Sequence, residues 1–181
     1  EEVYDNLLIW NQWFMDYRTT KNGLLTWGSN PYPLKNGHHW ETDGVNVRLG
    51  AALESGLDNS PMYDDIPFDT ESHRLLMDDV GLTGLYIHDC RCLAKIADIL
   101  GHEEDAVKLN ERAEIIEERM EELWDDDFGM YLNRRTDNDE FQYRLSPFHF
   151  HALFSHRVGQ ERAERMIKEH MRNPEEFWGE Y

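Results

Sequence analysis

The sequence predicts an all-α fold. Three observations carry it: apolar residues recur at helical spacing in several segments, strand-like alternation is sparse, and nothing alternates with the helices as a parallel sheet requires. Val3, Leu7, Trp10, Phe14 and Tyr17 are spaced four, three, four and three apart, one face of a first helix. A less regular helix is expected before Glu54. Tyr86, Cys90, Leu93, Ala97 and Leu100 form the next stripe, and Gly101 follows as a stop signal. Ala106, Leu109, Ala113, Ile116, Met120 and Leu123 form another, opposite Glu111, Arg112, Glu114, Glu117, Glu118 and Arg119, which read as a solvated face. A short helix is expected from about Pro147 to His156. Ala163, Met166, Ile167, His170 and Met171 give a last one. Met130-Tyr131-Leu132 and Phe141-Gln142-Tyr143 flank Asp137-Asn138-Asp139 and predict a small β-hairpin near 130–143. Trp10, Trp13 and Trp124 lie on helical patterns and are expected in the core.

Composition sets the bounds on partners. The chain has 181 residues, 40% of them hydrophobic and 12% aromatic, enough for one folded domain. A net charge of −19 argues against nucleic acid and against an anionic membrane surface, and serves solubility. No apolar run is long enough to span a bilayer, and no signal peptide is visible. The chain opens Glu1-Glu2 without Met, so the natural start is expected elsewhere. Cys90 and Cys92 diverge on a helix and are not expected to bond, which fits a reducing, cytoplasmic setting. No helical repeat at a fixed period is visible.

Several chemical signals are declined. His149 and His151 are two apart on an expected helix, and His38-His39 has no partner at ligand spacing, so no metal site is predicted. Asp125-Asp126-Asp127 before Gly129 lacks the ligand order of a calcium loop and reads as a turn. No phosphate loop or nucleophile elbow is present, and no cofactor is expected.

The chemistry concentrates at Glu54-Ser55-Gly56-Leu57-Asp58-Asn59-Ser60-Pro61. Two carboxylates flank a Ser-Gly break, and loops present acid groups while a scaffold holds them. Read as structure alone, the same stretch is a turn. The eleven residues from Glu54 to Asp64 resemble the acid-bearing segment of glycoside hydrolase family 63. That family includes processing α-glucosidases and mannosylglycerate and glucosylglycerate hydrolases, and is akin to the trehalases. Leu24-Leu25-Thr26-Trp27-Gly28-Ser29, Tyr143-Arg144-Leu145-Ser146-Pro147 and Asn173-Pro174-Glu175-Glu176-Phe177-Trp178-Gly179-Glu180 also resemble family segments. Leu53 and Met62 depart from the Trp and Arg common at those places, which bears on substrate and not on the acid.

The resemblance implies an inverting α-glycoside hydrolase acting on an α-glucoside or α-mannoside. It implies part of an (α/α)6 barrel, with residues 1–181 lacking its C-terminal part. Asp58 would be the general acid, and Glu54, Asn59, Trp27 and Tyr63 would bind substrate. To hold its proton, Asp58 should sit in a desolvated or negatively charged pocket. The general base, a Glu in the family, is expected outside this chain, in the remainder of the same domain or in another chain. For Glu54 the simpler role is a hydrogen-bond acceptor. For the aromatic residues it is core packing, favoured for Trp40. Arg48 and Arg74 are read as ion-pair residues before aglycone binders. Two other classes remain open: a sugar epimerase using His149, His151 and His156, and a non-catalytic carbohydrate-binding module.

Overall fold

The computed structural model describes residues 2–32 and 43–177. His38-His39, Trp40 and Glu180 lie outside the described residues.

The fold is mostly helical. Helices α1 (Glu2–Arg18), α2 (Arg48–Ser55), α3 (Val80–Leu100), α4 (Glu103–Met120) and α5 (Gln160–Arg165) are joined by 3-10 turns and short strands. Helix α3 starts at Asp79, whose carboxylate caps the Leu82 N–H at 2.8 Å, and stops at Gly101, left-handed at φ 81°. The chain then folds straight back as α4, and these two helices form the largest helix–helix contact. Cys90, Leu93 and Ala97 of α3 meet Leu109, Ala113 and Ile116 of α4 in the core. Leu100, expected to share the α3 stripe, is exposed at the helix end. Glu117, expected on the solvated face of α4, is instead buried. It pairs with Arg91 at 2.7 Å and accepts the His156 N–H.

The first helix is present, but its inward face is not the predicted one. Tyr4, Asn11 and Arg18 are buried, while Val3, Leu7, Trp10 and Tyr17 are exposed and Phe14 is half-buried. The helix is turned by about one residue because a polar side chain anchors it. Asn11 donates to Asp89 at 2.7 Å and accepts from Tyr86 at 2.9 Å and Arg112 at 2.6 Å. A buried amide with every valence met outweighs an apolar stripe. The rings left outside stack on one another, Trp10 on Trp13 and Phe14 edge-on to both. Trp10 is thus not a core residue, and Trp13 and Trp124 are half-buried.

Strands Phe68–Asp69 (β1) and Arg74–Leu75 (β2) pair antiparallel, as do Trp124–Asp125 (β4) and Met130–Tyr131 (β5). Met77–Asp78 (β3), Asn133–Arg135 (β6) and Phe141–Gln142 (β7) form a three-stranded sheet in the order β3-β6-β7. The predicted hairpin exists around its Asp137–Asp139 turn, with its first strand shifted: Asn133 faces Gln142, and Met130–Tyr131 pairs with Trp124–Asp125. The cause is the second turn, where Gly129 at φ 75° and Asp125, accepting the Phe128 N–H, close a tight β4–β5 loop.

The segment Pro147–Phe154 winds as a 3-10 helix and packs closely on α3. Gly81 and Gly84 make this possible. A Cβ at Gly84 would lie 2.3 Å from the His151 carbonyl oxygen, and one at Gly81 2.7 Å from Phe148 Cβ. The last helix passes from α5 into a single π turn at Met166–Met171, where His170 is buried against the Phe128 carbonyl and Glu176, each at 2.7 Å. Cys90 and Cys92 are both free thiols, and burial pushes the Cys90 thiol up.

Candidate active site

Helix α2 delivers the acid-bearing segment. It ends at Gly56, left-handed at φ 72°, a conformation that costs a residue with a Cβ. The Ser55 hydroxyl bonds back to the Ala52 carbonyl at 2.6 Å and accepts the Leu57 N–H at 3.0 Å. Ser60 N–H then donates to the Leu57 carbonyl at 2.9 Å. That bond closes a turn with Asp58 and Asn59 at its two central positions, both exposed. Ser60 caps the 3-10 turn Pro61–Tyr63, and Arg48 and Arg144 donate to the Tyr63 and Pro61 carbonyls. The turn is therefore fixed at both ends while its tip faces outward.

The expectation that Asp58 sits in a desolvated pocket is not met by the described residues. The central positions of a turn project away from the core that its ends grip. Nor is Asp58 held in an ion pair among the described residues. Asp64 and Asp65, nearby in sequence, pair with Arg144, and Asp64 also with Arg48 at 3.7 Å. Arg48 is thus an ion-pair residue, as expected. Arg74 instead donates to the Thr19 carbonyl and is half-buried.

Glu54, one turn earlier, points the other way. Its two oxygens accept from Arg18 Nε and Nη2 at 2.6 and 2.5 Å, and Oε1 also accepts the Gly28 N–H at 3.0 Å. Arg18 lies with its guanidinium 4.5 Å from the centre of the Trp13 ring. This clamp ties the end of α1, the 24–29 loop and α2 into one body. Gly28 is required there, since a Cβ would fall 2.6 Å from the His73 carbonyl oxygen and 2.7 Å from Arg18 Cζ. The hydrogen-bond-acceptor role weighed for Glu54 is the one its geometry displays.

Trp27 and Tyr63 meet behind this clamp. Trp27 is mostly buried and lines a cavity of about 380 Å³ shared with Trp10, Phe14, Leu82, Tyr86, His88 and Asp89. Tyr63 is 1% exposed, so the ring offers no face to a sugar in this conformation. Its hydroxyl faces Asp79, Ser55 and Trp27, and burial together with the Asp79 carboxylate pushes its pKa up. Burial likewise raises the Asp79 carboxyl to about 6, against the opposing pull of the Leu82 and Gly81 N–H groups. The structure thus brings Trp27 and Tyr63 to the start of α3, ties Glu54 to Arg18 and Gly28, and leaves Asp58 and Asn59 on the outer turn. Asp79 and Arg18 were missed in the sequence. An Asp directly before the apolar run Val80-Gly81-Leu82 is a helix-cap signal that would have found the first. Arg18 carries no such mark.

His156 is exposed and lines a hollow with His88, Arg91 and Lys95. His149 is buried, its Nδ1 bound within the Ser146 cap, and burial lowers its pKa to about 4. Burial also lowers that of His151. Among the described residues no group of three or more His, Cys, Asp and Glu side chains is placed to hold a metal. No helix among them is long and apolar enough to cross a membrane.

The turn carrying Asp58 and Asn59 follows the helix that the half-buried Glu54 ties to the buried Arg18, and it carries the sequence likeness. Residues 1–181 match the mannosylglycerate hydrolase MGH1-like glycoside hydrolase domain. The chain belongs to this family. No curated protein matches it. This glycoside hydrolase domain therefore has its assigned chemistry at glycosidic bonds, and the epimerase reading loses its support.

Proposed function

We propose that this domain cleaves an α-glucosidic or α-mannosidic bond with inversion, with Asp58 as general acid. The observation that carries the reading is the Glu54–Asp64 segment: its family likeness and its presentation on a fixed, outward turn. Inversion requires a second carboxylate on the opposite face of the sugar, roughly 6.5–9.5 Å from the first, with water between. That base is proposed to lie outside residues 1–181, and the elements that bury Asp58 lie with it. The same added elements would complete an (α/α)6 barrel around the segment. Asn59 is assigned to a substrate hydroxyl, and Trp27 to the wall of the sugar pocket. Glu54 and Tyr63 serve the substrate from behind, by fixing the Gly28 loop and the Trp27 ring. Mannosylglycerate is the substrate named by the family, and an α-mannoside with an acidic aglycone is the first to try.

The test is turnover of α-glucosides and α-mannosides by the full-length protein, with the first-released anomer followed by NMR. The β-anomer is expected. Asp58→Asn should lower kcat by about 10²–10⁴, the range for loss of a general acid. First release of the α-anomer would overturn inversion, and unchanged turnover by Asp58→Asn would overturn the acid. Sugar binding without turnover in the full-length protein would favour a binding module.

A further inference from the structure

Three buried polar atoms at the start of α3 have no hydrogen-bond partner among the described residues: Trp27 Nε1, Tyr63 Oη and Asp79 Oδ2. The three side chains lie within hydrogen-bonding reach of one another, yet no pair closes a well-formed bond. We propose that the space between them holds one ordered water, and that Asp79 acts through it as a positioning residue for the Trp27 ring.

The donor inventory fits a water; direct bonds from Trp27 and Tyr63 to Asp79 would also pair the three groups, but none closes in this conformation. The indole N–H only donates and the ionised carboxylate only accepts, while the phenol does either. A water accepts from Trp27, donates to Asp79 and completes a third bond with Tyr63, the usual coordination of a buried water. Leaving three such groups unpaired would cost more than immobilising one water. Asp79 cannot swing away to find another partner. Its Oδ1 holds the Leu82 N–H, its own N–H binds the Leu25 carbonyl at 2.8 Å, and its carbonyl accepts from Thr83 N–H at 3.0 Å. The next residue is fixed too, Val80 N–H donating to Asn133 at 2.8 Å. Oδ2 is therefore held on a rigid bracket near Trp27, a residue that lines the cavity. This assigns Tyr63 an inner role. It rests on the sugar-pocket reading only in naming what the Trp27 ring faces.

The experiment needs no substrate. In the full-length protein with ¹⁵N-labelled tryptophan, the Trp27 indole N–H is assigned by its loss in Trp27→Phe. It should show a nuclear Overhauser effect to a long-lived water. It should shift in both Asp79→Asn, which keeps the helix cap, and Tyr63→Phe, while the other indoles of this segment stay in place. A crystal structure of the protein should show a density peak within roughly 2.7–3.2 Å of all three atoms. Direct bonding among the side chains with no peak, or a Trp27 resonance unmoved by both variants, would overturn the proposal. Neither outcome touches the role of Asp58, which the anomer and kcat measurements decide separately.

Discussion

Asp79 and His149 set opposite demands on pH. The Asp79 carboxyl moves from an ordinary 3.8 up to about 6, so the folded state holds its proton more tightly than the unfolded one. Its contribution to stability is greatest below pH 3.8 and declines as pH rises to about 6, by about 3 kcal/mol at 1.36 kcal/mol per unit. His149 moves from 6.5 down to about 4, so its contribution is whole above 6.5 and declines as pH falls to about 4, by a similar amount. Between about pH 4 and 6 the two slopes oppose. Asp79→Asn should therefore raise the melting temperature at pH 7.5 and lose that gain near pH 4. His149→Gln, if the neutral amide fits, should flatten the loss on the acid side. Thermal melts of both variants across this range check each sign. The cap position of Asp79 could be read from the sequence, but the burial of either residue could not. Burial of a single polar side chain depends on contacts between segments distant in the chain, Asp79 with Tyr63 and Trp27, His149 under Ser146. The Asp58-Asn59 turn was legible because its Ser, Gly, Asn and Pro act locally.

At the scale of elements, the end of α2 governs how Asp58 is presented. Gly56 has open space around it, so Gly56→Ala meets no clash and pays only for the left-handed backbone. The expected cost is about 1 kcal/mol, with Gly56→Asn costing less, both read from urea midpoints. The clamp is the stronger joint. Glu54→Gln leaves Arg18, 5% exposed, without its charge partner, and should cost about 3 kcal/mol by the same measurement. Helix positions were largely readable from periodicity: α3 and α4 bury most of their stripes, and α1 forms where its stripe runs, though it buries another face. What periodicity could not supply was which way α1 turns, because Asn11 anchors it through partners on α3 and α4. The small strands were harder still. Two-residue strands carry no alternation to read, and the shift of the hairpin follows from the Gly129 turn.

At the scale of the molecule, charge is the dominant surface property. With 37 acidic against 18 basic residues, self-repulsion works against the compact state. Raising salt from about 0.02 to 0.3 M should therefore raise the melting temperature, as the screening length shrinks below the spacing of surface charges. A fall would mean that ion pairs such as Arg144–Asp65 outweigh the repulsion. The mostly helical class was legible from composition and spacing. The enclosure that would desolvate Asp58 was not, because no described residue supplies it.

The missing Cβ atoms of Gly81 and Gly84 carry one last consequence. With backbone against backbone there, the Pro147–Phe154 coil and the head of α3 have no soft layer of side chains along which to slide. Any opening motion that admits a substrate must pivot elsewhere, and these two pieces travel as a unit, bringing Asp79 with them.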